Sequence, residues 1–147
     1  MSCMENNSCI FCRIANREIS SNIVFENDKA LAFLDAYPLR LGHTLIIPKL
    51  HYYKINDMDK ESYMALFDIL LKITGIIEKT VGANSSTIAI HNGKEAGQEI
   101  PHVHIHIIPR KYGDGGGPVH LLFKNNKPKM DDSIMLDILN QIQKNLT

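Results

Sequence analysis

The chain predicts an α+β domain with a mainly antiparallel sheet of about five strands, one long helix, and short helices towards both ends. Three observations carry this. Apolar runs of strand length fall at 23–25, 30–34, 43–47 and 87–90, bounded by turn or breaker residues. Only the stretch between Asp59 and Gly82 is long and periodic enough for an extended helix. At 102–107 histidine alternates with aliphatic residues, the period of a strand with two different faces. Strands lie on both sides of the one long helix, which favours a meander over alternating β–α units.

In chain order, residues 9–17 suit a short helix with Ile10, Phe11 and Ile14 on one side. The runs 23–25 and 30–34 flank Glu26-Asn-Asp-Lys29, a hairpin turn. The breaker 35–38 ends the second strand at Pro38, and the third is expected to stop at Pro48, since proline brings no N–H to a ladder. Asp57 or Asp59 offers the N-cap of the long helix. Tyr63, Phe67, Leu70, Thr74, Ile77 and Val81 recur at spacings of three and four and predict its buried stripe, with Gly82 as the stop. Gly75 inside it costs about 1 kcal/mol relative to alanine. Strand 87–90, a loop over 91–101 and the histidine strand follow. The glycine-rich loop at 111–118 lacks the Lys-Ser/Thr ending of a phosphate loop, and His120 beyond it belongs to no motif. Met135, Ile138, Leu139, Ile142 and Leu146 mark an amphipathic last helix capped around Asp131 to Ser133, its stripe suited to a core or an interface.

With 147 residues, one domain is expected over 9–147, preceded by a flexible leader at 1–8 and carrying a helical extension from about 131. Sixteen basic and sixteen acidic side chains balance, so nothing in the net charge points to nucleic acid or a membrane surface. An anionic ligand must be held by local groups. No apolar run reaches 18 residues and no secretory pattern opens the chain, so a cytoplasmic protein is expected. Cysteines at 3, 9 and 12, odd in number and crowded at one end, make a poor disulfide framework.

Residues 98–110 hold the chemistry. On a strand His102, His104 and His106 project together, about 6–7 Å apart, while Val103, Ile105 and Ile107 project the other way. Such a row suits a three-histidine metal site. It equally suits covalent phosphoryl or nucleotidyl transfer, in which a neutral imidazole attacks phosphorus. The upstream loop favours the second, because Asn92-Gly93 and Gly97-Gln98 offer carboxamides and close backbone approach for phosphate.

The segment 102–108 resembles the His-φ-His-φ-His-φ-φ signature of the histidine triad (HIT) family of nucleotidyl hydrolases and transferases. Cys9-Ile-Phe-Cys12, the segment ending in Asp35, Gly42-His-Thr-Leu-Ile-Ile-Pro-Lys49, His51, Asn92-Gly93 and Ala96-Gly-Gln98 occur in that family's order and spacing. The resemblance covers 9 to about 110.

It implies a HIT-like fold and a nucleotide hydrolase of the zinc-bearing, Hint-like branch. His104 would be the nucleophile, taking up the nucleoside monophosphate as a phosphoramidate that water then hydrolyses. His106 would contact the α-phosphate and assist the leaving group, and His102 would support the nucleophile from behind. His43 would add an imidazole beside the triad. Asn92 and Gln98 would hold phosphate or leaving-group atoms, and Asp35 the ribose hydroxyls. Ile10, Phe11, Ile14 and Leu34 would line the base pocket. Cys9, Cys12, His51 and His102 match the structural zinc ligands of the branch. The implied substrate is a purine nucleoside monophosphate derivative, a phosphoramidate or a polyphosphate, with no nucleic acid or membrane partner, and the implied assembly is a homodimer. A dinucleoside polyphosphate hydrolase, or a nucleotide-binding regulatory module with little catalysis, would carry the same residues. Glu99 departs from the family, many members of which have serine or threonine after Gly-Gln. A carboxylate there would repel phosphate unless turned away, so that position's role is not carried over.

Overall fold

The computed structural model describes residues 8–123 and 127–146. Cys3, most of the expected leader and the stretch 124–126 lie outside the described residues. The chain divides after Asp114 into two compact units, 1–114 and 115–147. The first contains helix α1 (Ile10–Ala15), strands β1 (Ile23–Glu26), β2 (Ala30–Leu34) and β3 (Thr44–Pro48), helix α2 (Lys60–Thr80), and strands β4 (Ser85–Ala89) and β5 (Ile105–Arg110). The second contains a 3-10 turn, Val119–Leu121, and helix α3 (Asp132–Leu146).

All pairings in the sheet are antiparallel, in the order β1-β2-β3-β5-β4. Alternation along β2 and β3 feeds two cores at once. Ala30, Ala32 and Ile46 face Leu66, Ile69, Ile73 and Ile77 of α2, joined by Val103, Ile105 and Ile107. Leu31, Phe33, Leu45 and Ile47 face the other way and pack with Cys9, Phe11, Cys12 and Ile14 of the α1 segment. This burial on both faces explains why β2 and β3 read as continuous apolar runs.

Four expectations change in detail. Helix α2 buries Ser62, Leu66, Ile69, Ile73 and Ile77; of the expected stripe of Tyr63, Phe67, Leu70, Thr74, Ile77 and Val81 only Ile77 is buried, with Phe67 and Leu70 packed half-buried against the same core. The helix is apolar over more than one face, so periodicity alone left its rotation open, and the cost of exposing a large aliphatic (about 1.5–3 kcal/mol each) does not choose between faces that are both apolar. Tyr63, Met64, Leu71 and Ile76 are left exposed. Asp59 is the N-cap, accepting the Ser62 amide at 2.8 Å. Strand β3 runs through Pro48, which pairs with Ala30. Proline is tolerated there because β5 pairs with β3 only from Thr44 to Ile46, so no ladder N–H is required on that side. The histidine strand begins at Ile105, so His102 stands in a bend and His104 just ahead of the strand, and β4 starts two residues earlier than expected, at Ser85. In the second unit Asp131 caps α3 by accepting the Ile134 amide at 2.9 Å. None of the residues of α3 is buried, so its apolar stripe is not core.

Candidate active site and metal centre

Opposed residues in a sheet share a face. Leu45 stands opposite His106 on β3 and Ala89 opposite it on β4, so the histidines share the α1 face with Leu45 while Val103, Ile105 and Ile107 enter the core under α2. The expected division of the row is therefore kept, although most of it is buried: His102 is 0% and His104 7% exposed.

Hydrogen bonds make the three imidazoles unequal. A carbonyl oxygen only accepts, so a ring nitrogen bonded to one must carry the proton. His104 Nδ1–H donates to its neighbour's backbone, the His102 carbonyl, at 2.7 Å. Its Nε2 is then a lone pair, the form a nucleophile requires. Burial, the largest influence, pushes the His104 pKa down, against an opposing effect of the backbone bond. The ring is accordingly neutral near pH 7. The edge of Phe11 packs against it at 5.1 Å between centroids.

His106 lies beside it, at 5.0 Å between rings. Its tautomer follows from a longer chain. The Leu39 amide donates to His43 Nδ1 at 3.1 Å, so neutral His43 carries its proton on Nε2. That atom is 2.9 Å from His106 Nδ1 and donates to it. His106 is thereby left with Nε2–H, a proton to give. Burial, followed by the charges of His104, His43 and His91, lowers its pKa to about 4. Asp35 closes the chain: its Oδ2 is 3.5 Å from His43 Nε2, and its Oδ1 accepts the Tyr37 amide at 2.9 Å. The donor atoms of Asp35, His43 and His106 are close enough together for a metal ion. The Leu39 amide argues otherwise, because it takes the Nδ1 lone pair and puts a proton where a metal would bind.

A second cluster fits a metal well. Cys9 Sγ and Cys12 Sγ lie 3.4 and 3.6 Å from His102 Nδ1, and Cys12 Sγ lies 3.3 Å from His51 Nδ1. Tetrahedral coordination with typical zinc bond lengths separates sulfur from nitrogen by about 3.5 Å. All four donor atoms lie within 4.8 Å of one another. The tautomer suits the task too: His102 Nε2–H donates to the Pro48 carbonyl at 2.9 Å and turns the Nδ1 lone pair to the thiols. Burial above all lowers the His102 pKa to about 4 and keeps that lone pair free of a proton.

The remaining expected site residues are placed less uniformly. Ile10 and Leu34 are exposed at 46% and 41% and are available to a ligand, whereas Ile14 is packed into the core under α1. Both carboxamides in the loop are spent on backbone or neighbours. Asn92 accepts the Ile55 amide and donates to Asn56 Oδ1; Gln98 accepts the Gly93 amide and donates to the carbonyls of Tyr53 and Ile100. They hold the loop to the 53–56 segment; Gln98 uses both of its amide protons in doing so, whereas exposed Asn92 commits one N–H of its two. Sequence reasoning missed His91, whose ring lies 5.8 Å from that of His106. Its parity with Ala89, one strand step away, was the available signal.

Residues 16–113 match the HIT domain model, and the chain belongs to the HIT domain family. Over 108 residues it is 42% identical to the adenylylsulfatase HINT3 of Arabidopsis thaliana, covering 74% of this chain and 55% of that protein. Over 113 residues it is 38% identical to the adenosine 5'-monophosphoramidase hnt1 of Schizosaccharomyces pombe, covering 75% of this chain and 82% of that one. A HIT family protein from Bacillus anthracis superposes with a TM-score of 0.84 at 32% identity, covering 96% of this chain and 99% of its own. A zinc-bound histidine triad family protein from Mycobacterium smegmatis does so with a TM-score of 0.70 at 29% identity, covering 93% and 96%. The five-stranded antiparallel sheet with its long helix is the HIT fold.

Proposed function

We propose that the protein hydrolyses a purine nucleoside 5'-phosphate derivative at its α-phosphorus through a covalent His104 intermediate, as a nucleoside phosphoramidase does. The observation that carries the reading is the bond from His104 Nδ1–H to the His102 carbonyl, which leaves Nε2 unprotonated beside the Nε2–H of His106. His104 Nε2 attacks phosphorus, and His106 Nε2–H protonates a departing amine nitrogen. Water then displaces His104 and returns a proton to His106. Asp35 accepts the ribose hydroxyls, the exposed Ile10 and Leu34 contact the base while Phe11 stays packed in the core, and Asn92 and Gln98 act as supports of the loop.

The relatives' names support the reaction class, one being an adenylylsulfatase and another an adenosine 5'-monophosphoramidase. The test compares rates on adenosine phosphoramidate and on diadenosine polyphosphates, with AMP binding measured in parallel. Faster phosphoramidate turnover supports the reading. Faster polyphosphate turnover would favour a dinucleoside polyphosphate hydrolase, and binding with no turnover a regulatory module.

Zinc is the metal we assign to Cys9, Cys12, His51 and His102, a closed set suited to structure and not to catalysis. A cytoplasmic homodimer is the assembly we assign, supported by the apolar face of α2 left exposed at Leu71, 85%, and Ile76, 61%. Among the described residues no helix is long and apolar enough to cross a membrane.

A further inference from the structure

The hydrogen-bond chain that places the proton of His106 begins in a loop, residues 36–41, none of which is buried. Backbone bonds tie the ends of that loop, Asp35 N–H to the His43 carbonyl at 2.9 Å and His43 N–H to the Arg40 carbonyl at 3.0 Å. Its middle is held by a guanidinium. Arg40 Nη1 donates to the Leu39 carbonyl at 2.9 Å, and Nη2 donates to the carbonyl of Asp114, beyond the end of β5. Asp114 is a firm anchor. Its carboxylate accepts Arg110 Nε at 2.7 Å, Arg110 Nη2 at 3.0 Å and the Lys111 amide at 3.0 Å. A cavity of about 150 Å³, lined by Arg40, Leu41, Val81, Pro109, Lys111 and Asp114, opens beside this clamp, so close packing does not stand in for its bonds.

We propose that Arg40 is a positioning residue for the reaction: by clamping Leu39 to the end of β5 it holds the Leu39 amide on His43 Nδ1, and so keeps the proton of His106 on Nε2. This rests on the nucleotidyl-transfer reading, in which that proton goes to the departing amine.

The pair of imidazoles can be hydrogen-bonded in two directions. In one, His43 Nε2–H donates to His106 Nδ1 across 2.9 Å, and His106 keeps Nε2–H. In the other, His106 Nδ1–H donates to His43 Nε2, the His43 proton sits on Nδ1, and His106 Nε2 is a bare lone pair with no proton to give. The Leu39 amide, 3.1 Å from His43 Nδ1, decides between them, because two N–H groups cannot share one bond. Asp35 Oδ2 favours the same direction, but at 3.5 Å from His43 Nε2 it stands at the limit of a hydrogen bond. The bonds from Arg40 are charge-assisted, roughly twice as strong as neutral ones, and the exposed loop has no apolar burial to replace them.

The experiment compares the wild type, Arg40→Gln, Arg40→Lys and Asp114→Ala in the full chain. It reads steady-state kinetics on adenosine phosphoramidate, and ring tautomers by long-range proton–nitrogen NMR correlations. A general acid contributes about 10²–10⁴-fold, and Asp35 still biases the pair, so kcat should fall about tenfold in Arg40→Gln while KM stays within about threefold. Arg40→Gln and Asp114→Ala, which break the clamp from opposite sides, should both populate the Nδ1–H forms of His43 and His106. Arg40→Lys keeps a cationic donor and should recover most of the loss. A fall in kcat with unchanged tautomers would mean a merely structural clamp and overturn the proposal, as would shifted tautomers with unchanged kcat, or no change in either. Shifted tautomers in a protein whose wild type does not turn over the phosphoramidate would leave Arg40's hold on His43 standing and overturn the reaction class instead.

Discussion

His102 donates its Nε2 proton to the Pro48 carbonyl at 2.9 Å, and its own carbonyl accepts the Nδ1 proton of His104 at 2.7 Å. One residue thereby turns its ring to the cysteines and orients the nucleophile through its backbone. The bond to Pro48 also joins the end of β3 to the segment preceding β5, where the strands have ceased to pair.

This coupling predicts that the metal centre supports the catalytic strand. Cys12→Ser should abolish stoichiometric zinc in protein purified without added metal and lower the melting temperature by several degrees, since a structural site contributes folding energy. Elemental analysis and a thermal melt check it. Less than about a tenth of an equivalent of zinc in the wild type, even after reconstitution, would count against the site.

Replacing the nucleophile separates chemistry from binding. His104→Ala should reduce turnover by at least about three orders of magnitude while retaining AMP affinity within severalfold. Steady-state rates and calorimetric titration with AMP read the two quantities, and turnover close to wild type would refute the covalent mechanism.

The buried imidazoles make stability depend on pH. His106 has its pKa lowered by burial from 6.5 to about 4. Between those values the unfolded chain binds a proton at this site that the folded chain does not, so stability falls as pH drops from 6.5 towards 4. Urea denaturation at pH 7, 5.5 and 4.5 should show the decline, and His106→Asn should make it shallower, the remainder coming from His102 and the other buried imidazoles.

Gly42 precedes His43 with φ +84°, and a Cβ there would sit 2.8 Å from Val81 Cγ1, just beyond α2. Gly42→Ala should cost about 1–3 kcal/mol, from the left-handed backbone and the collision together. Equilibrium unfolding measures it; a neutral substitution would mean that the turn relaxes freely.

On the exposed face of α2, nothing lies within 4 Å of a Cβ added at Gly75. Gly75→Ala should therefore stabilise the isolated chain by about 1 kcal/mol. Leu71→Glu should convert a dimer to monomer in light scattering if this face is the interface, and a wild-type monomer would refute the proposed assembly.

Period and punctuation were sufficient for the order of the elements and the two-faced histidine row, because a strand fixes side-chain parity locally, whereas the grouping of Cys9, Cys12, His51 and His102 was implied by the family resemblance alone. Three features were decided only in the folded chain. The rotation of α2 depended on which of two apolar faces the sheet could accept. The fates of Asn92 and Gln98 depended on the 53–56 segment, whose backbone groups took up their carboxamides. The inequality of the histidines depended on carbonyls and amides brought in by the fold, from Pro48, His102 and Leu39. A sequence states where an imidazole stands, but the groups that choose its tautomer arrive from other parts of the chain.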